Sequence, residues 1–254
     1  MRNHAKPVPA VRRLLVVCAH PYDATFALGG VIGAFADAGT SVHILCLTHG
    51  RGPDPSPRCR LDRARDLGRA VRRLGAEDVM LLDHSPGTLG TANLDELADE
   101  IQEAAAAADA LLVVDATGRD AHPDHVRTMR AAYRAATATG TVLYAWTLRP
   151  AEPGVGRPVL VVDADRARQR AAIACHTGLP ADDPLRSRWM RHQDPTERLV
   201  VLRAERMLAP ANRPPAVGEE GDDHDDDTTT DHPAGARHRQ EGAAAPHPVR
   251  ARTA

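Results

Sequence analysis

The fold is decided by residues Leu14–Asp23, which read LLVVCAHPYD. The first six residues are apolar without alternation, which predicts a strand buried on both faces, as at the centre of a parallel sheet. Such a strand delivers the residues that follow it to the carboxyl edge of the sheet, where open α/β proteins bind ligands. The residues delivered here include His20 and Asp23, two side chains that can bind a metal ion.

A second cluster, His122–His125 (HPDH), follows another apolar run, Ala110–Asp115. Because both clusters follow predicted parallel strands, we expect them at the same edge of the sheet. Together, His20, Asp23 and His125 supply two imidazoles and a carboxylate, a three-ligand set that leaves coordination positions open, as catalytic zinc sites do. Either cluster alone could also be an ordinary turn, since Pro and Asp favour turns. The coincidence of two clusters at one edge favours a metal site.

Strand and helix patterns alternate through the rest of the chain. The further predicted strands are Val42–Thr48, Val79–Leu82, Ala110–Asp115, Val142–Trp146, Pro158–Val162 and Leu199–Arg203. The predicted helices are Gly29–Gly39, Leu61–Leu74, Leu94–Ala108, a helix that follows His122–His125 and runs to about Thr137, and Ala164–His176, with a loop over Gly50–Arg60. This alternation predicts a Rossmann-like three-layer α/β sandwich with a mostly parallel central sheet.

The composition divides the chain into three parts. Residues 1–10 form a predicted flexible leader, and residues 11–208 a single folded domain. Residues 209–254 are dominated by Asp, His, Pro, Gly and Ala with few apolar side chains, so this tail buries too little apolar surface to fold and is predicted to be disordered.

The charge and the cysteines exclude several classes of protein. A formal net charge of −2 over 254 residues indicates neither a nucleic-acid-binding protein nor a membrane-surface protein. No apolar stretch is long enough to cross a bilayer, and the first apolar run is too short for a signal peptide. The four cysteines show no CxxC pairing, and Cys18 and Cys46 lie in apolar runs as small core residues. We therefore predict a cytoplasmic protein.

Five segments of the chain carry a family resemblance, and they read AHPYDA (19–24), LCLTHG (45–50), RARD through LG (63–75), GRDAHPDH (118–125) and AAIACH (171–176). These segments resemble the zinc-dependent deacetylases of the LmbE and PIG-L type, which remove acyl groups from N-acylated glucosamine derivatives. Members of that family carry AHPDDE after the first strand and GxxxHPDH later. The resemblance spans about residues 11–205.

The resemblance implies a role for each motif residue. It makes His20, Asp23 and His125 the ligands of one zinc ion, although a two-histidine, one-carboxylate set also suits other divalent metals such as iron. It makes His122 the group that stabilises the tetrahedral intermediate or protonates the departing amine, with Asp124 orienting it. The implied substrate is a small N-acylated amino sugar or similar amine.

Tyr22 departs from the family pattern. The family has at this position an Asp that accepts a proton from the attacking water, and Ala24 replaces the following Glu. A phenol with a pKa of about 10 is a poor proton acceptor near neutral pH. The loss of a general base costs about 10²–10⁴ in rate.

Three interpretations of Tyr22 follow. The chain is a metal-binding relative with little or no catalysis that binds a ligand or partner; or Asp54, Asp120 or His122 accepts the proton; or Tyr22 approaches the metal as a phenolate.

Overall fold

The computed structural model describes residues 8–50, 56–117, 121–147, 159–179, 187, 190, 191 and 194–202. The predicted tail and most of the predicted leader lie outside these residues, so the division into leader, domain and tail stays a prediction.

Seven strands form one sheet within the described residues. They are β1 (Arg13–Cys18), β2 (Ser41–Thr48), β3 (Asp78–His84), β4 (Ala110–Val114), β5 (Val142–Trp146), β6 (Val159–Asp163) and β7 (Thr196–Val201). The spatial order is β3-β2-β1-β4-β5-β7-β6. The first five strands run parallel, whereas β7 pairs antiparallel with both β5 and β6. The prediction of a mostly parallel central sheet is confirmed.

Six α-helices connect the strands in the described part of the chain. They are α1 (Asp23–Phe26), α2 (Gly29–Asp37), α3 (Pro57–Leu74), α4 (Leu94–Ala104), α5 (Pro123–Thr139) and α6 (Arg166–Ile173), with a 3-10 turn at Leu89–Thr91. None of the helices in the described ranges combines the length and apolar character that a bilayer crossing needs.

The helices lie in two layers, one on each face of the sheet. Along β1, Leu14, Val16 and Cys18 face a core under α2, α3 and α6, while Leu15 and Val17 face a second core under α4 and α5. All five side chains are at least 96% buried, which explains why β1 shows no polar alternation. This arrangement confirms the three-layer sandwich.

Several predicted boundaries differ from the structure. Helix α3 begins at Pro57, so residues 57–60 are helical and not part of a loop. The hydroxyl of Ser56 accepts the Cys59 N–H and so caps the helix, and Pro57 occupies its first turn, where a missing N–H costs nothing.

Other helices are shorter than predicted. Helix α4 ends at Ala104 and α6 covers only residues 166–173, where the side chain of Asp165 caps its first turn. The last strand begins three residues earlier than predicted and ends at Val201.

The strand order changes direction at β1, because β2 and β3 are added on one side of it and β4 and β5 on the other. The connections that leave β1 and β4 at the carboxyl edge therefore diverge to opposite sides of the sheet and open a crevice between them, which is the usual ligand site of such folds. Both predicted motifs begin at this point.

Candidate metal centre

Two reciprocal hydrogen bonds shape the turn after β1. The backbone N–H of Asp23 donates to the carbonyl of His20 (3.1 Å), and the backbone N–H of His20 donates to Oδ2 of Asp23 (2.8 Å). Asp23 is the first residue of α1, a one-turn helix that the sequence pattern does not predict. The hydroxyl of Thr48, at the end of β2, donates to the carbonyl of Ala19 (2.9 Å) and ties the turn to the neighbouring strand. The two predicted ligands therefore fix each other before any metal binds.

The second motif forms the N-terminus of α5. His122 is the N-cap, and its Nδ1 accepts the backbone N–H of Asp124 (3.2 Å), while Pro123 takes the first helical position. Because Nδ1 is an acceptor, the neutral ring is assigned its proton on Nε2. The exposed imidazole of His122 therefore presents an N–H donor.

The three predicted metal ligands converge. One donor atom from each of His20, Asp23 and His125 lies within 4.8 Å of the others. Nε2 of His125 is 3.1 Å from Oδ1 of Asp23, and Nδ1 of His20 is 3.8 Å from Oδ2. Two atoms bound to one tetrahedral zinc at about 2.0–2.1 Å lie about 3.3 Å apart. The donor set therefore fits a zinc ion in both chemistry and spacing.

The electrostatics of the set favour the charged carboxylate. Burial alone would raise the pKa of Asp23, but the charge and hydrogen bond of His125, together with those of His20, outweigh burial and lower it. Burial likewise would lower the pKa of His125, and the attraction of Asp23 outweighs it and raises that pKa. The attraction between Asp23 and His125 thus favours the charged form of each side chain.

A second set of donor atoms shares one residue with the first. Atoms of His20, His122 and Asp124 also lie within 4.8 Å of one another. Asp124, however, is 0% exposed, and its carboxylate already accepts from the Gly87 N–H (2.6 Å) and the Gly90 N–H (3.3 Å). A metal there would displace existing hydrogen bonds, so the set containing Asp23 is the better site.

The carboxylate of Asp124 is directed at His20. Its Oδ2 lies 2.9 Å from Nε2 of His20, whereas the contact recorded between Asp124 and His122 is made by the backbone N–H. Burial would raise the pKa of Asp124, but hydrogen bonds from His20, Gly87 and Gly90 outweigh burial and lower it. The resemblance implied that this carboxylate orients His122, and the contacts of the described residues instead pair it with His20.

The ring of Tyr22 packs against other aromatic rings beside the site. Its ring meets the ring of His176 at 4.9 Å and 85°, and that of Phe26 at 5.8 Å and 80°. His176 is 2% exposed, and its Nε2 lies 2.9 Å from the hydroxyl of Thr25. The position that holds an acid in the family motif is thus part of an aromatic wall.

The other two alternative proton acceptors named from the sequence, Asp54 and Asp120, lie outside the described residues. His49, at the same edge, contacts Asp83 through Nε2 (3.2 Å). Burial, followed by the charge of Arg60, lowers the pKa of His49.

The cysteines at the base of the site are core residues, as predicted. Cys18 and Cys46 pair in register on β1 and β2 and are at most 1% exposed. Burial, more than any neighbouring charge, raises the pKa of each thiol well above its usual range. Both are free thiols and do not belong to a donor set.

Sequence reasoning missed the segment that supports Asp124. Gly87 and Gly90 follow β3, and a β-carbon added to Gly90 would lie 2.7 Å from Cβ of Pro123. The glycines of this segment indicate a turn but not which helix it contacts. A local pattern carries no information about that long-range partner.

Comparison with known proteins finds a family profile that matches the region of the two motifs. A family profile described as PIG-L, GlcNAc-PI de-N-acetylase, matches residues 15–136. Residues 15–136 are similar to this family and are called the PIG-L region below. The match runs from β1 into α5, so the PIG-L region contains both motifs and all three predicted ligands.

A curated relative of the chain is the 1D-myo-inositol 2-acetamido-2-deoxy-alpha-D-glucopyranoside deacetylase of Streptomyces griseus. It is 29% identical over 169 residues, which cover 55% of this chain and 52% of the relative. The chain spans about half the length of the curated relatives that it matches.

Two solved structures share this fold. Teicoplanin deacetylase Orf2, in its zinc-inhibited form, aligns with a TM-score of 0.57 at 18% identity over 74% of this chain and 97% of that chain. N,N'-diacetylchitobiose deacetylase from Pyrococcus horikoshii aligns with a TM-score of 0.57 at 19% identity over 69% and 74%. At these identities the likeness establishes the fold.

Proposed function

We propose that the chain is a cytoplasmic zinc-dependent hydrolase that removes the acetyl group from a small N-acetylglucosaminyl compound. The observation that carries this proposal is the convergence of His20, Asp23 and His125 at the carboxyl edge of a PIG-L region. The named substrates of the curated relative and of the chitobiose deacetylase both contain an acetylated glucosamine, which supports this substrate class.

The proposed ligands define where a metal would bind and which chemistry it would supply. His20, Asp23 and His125 would hold the ion, and it would supply Lewis-acid polarisation together with a water pKa lowered to about 7. With three protein ligands, the set leaves coordination positions open, as in catalytic rather than structural zinc sites.

His122 supplies a hydrogen-bond donor. Its cap contact leaves Nε2 protonated on the exposed side of the motif, where a substrate amide would bind. The Nε2–H therefore donates to the oxygen that gains negative charge during attack, a type of interaction that contributes about 2.7–4 kcal/mol in other hydrolases.

The same tautomer makes His122 a poor replacement for the missing base. To accept a proton at Nε2, the ring would need a proton on Nδ1, and that proton would face the N–H of Asp124. Of the three alternative proton acceptors, this argument disfavours His122 and leaves Asp54 and Asp120. We therefore expect hydrolysis to be slow compared with an enzyme that has a carboxylate in place of Tyr22.

A second candidate function rests on the contacts of Tyr22. Its ring packs against Phe26 and His176 and brings no carboxylate to the site. A pocket with metal ligands and a donor, but without a base, suits a protein that binds an acetylated amino sugar without turning it over.

The deciding experiment measures release of primary amine by the zinc-loaded full chain. The panel contains N-acetylglucosamine, N,N'-diacetylchitobiose and an N-acetylglucosaminyl inositol. Asp23→Ala is the inactive reference, and Asp83→Asn is the matched control, because Asp83 is a carboxylate that contacts a histidine at the same edge but is not a ligand.

If the chain is a deacetylase, the parent and Asp83→Asn should both release more amine than Asp23→Ala does. A parent that binds zinc and a panel sugar but releases no more amine than Asp23→Ala would overturn it in favour of the binding function.

A further inference from the structure

The imidazole of His20 lies between two carboxylates. Its Nδ1 is directed towards Asp23 at 3.8 Å, and its Nε2 towards Asp124 at 2.9 Å. A neutral histidine carries one proton, so only one of these nitrogens can offer a lone pair to a metal. The partner of the other nitrogen decides which one does.

The carboxylate of Asp124 is surrounded by hydrogen-bond donors. It is fully buried at the start of α5, and two backbone N–H groups, from Gly87 and Gly90, already donate to its oxygens. An ionised carboxylate has only acceptor sites, so the third contact, from Nε2 of His20, requires a proton on that nitrogen. The lone pair of His20 then lies on Nδ1, which is directed towards Asp23.

Three residues between His122 and His125 have different roles in the proposed site. His125 is a ligand, His122 is a donor towards the substrate, and Asp124 contacts the ligand that comes from the other motif. The contact between Asp124 and His20 spans 104 residues and joins the turn after β1 to the start of α5. A carboxylate in this place holds both the tautomer and the ring orientation of the ligand.

We propose that Asp124 is the positioning residue of the metal centre, which holds His20 in the Nε2–H tautomer so that Nδ1 binds the metal. This inference rests on the proposed metal site, but it concerns affinity and tautomer and does not depend on turnover. Asp124 acts through His20 and does not touch the substrate.

The test compares zinc dissociation constants of the full chain, measured by competition with a chromophoric chelator. Asp124→Asn keeps the volume of the side chain but removes the charge and one acceptor. We expect zinc binding to weaken about 10–100-fold, the usual effect of losing a carboxylate behind a ligating histidine. Asp83→Asn, the matched control at His49, is expected to leave zinc affinity unchanged.

A second measurement covers the case in which Asp124→Asn does not fold. Long-range ¹H–¹⁵N spectra of the metal-free parent, assigned with His20→Gln, report which nitrogen of His20 is protonated. The proposal predicts a protonated Nε2 and an unprotonated Nδ1, which a purely structural role for Asp124 would not require.

The outcomes separate this proposal from the proposed function. Equal zinc affinity in the parent and a folded Asp124→Asn, or an Nδ1–H tautomer of His20 in the parent, would overturn the role of Asp124. Weakened zinc binding in Asp124→Asn, beside a parent that binds sugar but releases no amine, would support the role of Asp124 and overturn deacetylation.

Discussion

The ring of Tyr22 packs edge to face against the ring of His176, with the ring centroids 4.9 Å apart. His176 follows α6 and is almost fully buried, so this contact joins the first motif to a segment about 150 residues later in the chain. Tyr22 therefore has a packing role on the side of the site opposite to α5.

The ring, rather than a phenolate, is expected to be the important part of Tyr22. Tyr22→Phe keeps the contacts with Phe26 and His176, so the free energy of unfolding should change by less than about 1 kcal/mol. Tyr22→Ala removes the ring and should cost about 2–4 kcal/mol, somewhat less than a fully buried aromatic because Tyr22 is partly exposed. Urea denaturation followed by circular dichroism measures both.

Zinc affinity provides the complementary test. The proposed ligands are His20, Asp23 and His125, so Tyr22→Phe should keep the zinc dissociation constant of the parent. A large loss of zinc affinity in Tyr22→Phe would instead support the phenolate interpretation.

The two donor sets make opposite predictions for two histidines of one helix turn. If the ion binds to His20, Asp23 and His125, then His122→Ala should bind zinc nearly as the parent does. His125→Ala removes a ligand, so it should weaken zinc binding by more than the roughly 10–100-fold that is typical when a residue behind a ligand is lost. Chelator competition on both variants measures this. Retained affinity in His125→Ala with loss in His122→Ala would place the ion in the set with Asp124.

His84 and Glu100 provide a prediction about pH. Nε2 of His84 lies 2.6 Å from Oε2 of Glu100, and this hydrogen bond, opposed by burial, raises the pKa of His84 above 6.5. Protonated His84 thus stabilises the folded state. The contribution is complete below about pH 6.5 and disappears as the pH rises through the raised folded value.

Urea titrations of Glu100→Gln at several pH values measure the contribution. Both side chains are partly exposed, so the deficit relative to the parent should be about 1 kcal/mol or less at pH 5.5 and smaller at pH 9. Asp99→Asn, an exposed acid of the same helix, is the control and should show no such dependence. A deficit that grows with pH would contradict the assignment.

The sequence predicts the fold and the position of the two motifs because both depend on local patterns. An unbroken apolar run predicts a doubly buried strand, and the residue after the end of a parallel strand has a known location. That is why the motifs that contain His20, Asp23 and His125 could be placed at one edge of the sheet, while the assignment of these residues as zinc ligands follows the family resemblance and stays a prediction.

What the sequence does not predict is which side chains meet across long distances. The contact of Asp124 with His20, the two glycine N–H donors after β3, and the position of His176 against Tyr22 all depend on how helices dock on the sheet. The start of α3 was missed for a different reason, because Ser56 and Pro57 form a capping signal inside a segment rich in loop residues.

The most direct test of the whole account is the rate of amine release by zinc-loaded Tyr22→Asp beside the parent, on the acetylated glucosamine that the parent binds best. If the site is a PIG-L metal centre that lacks only its carboxylate base, Tyr22→Asp should release amine about 10²–10⁴ times faster than the parent, at equal zinc content. If Tyr22→Asp folds, binds zinc and the sugar, and is no faster than the parent, the claim that Tyr22 occupies the position of the base is wrong.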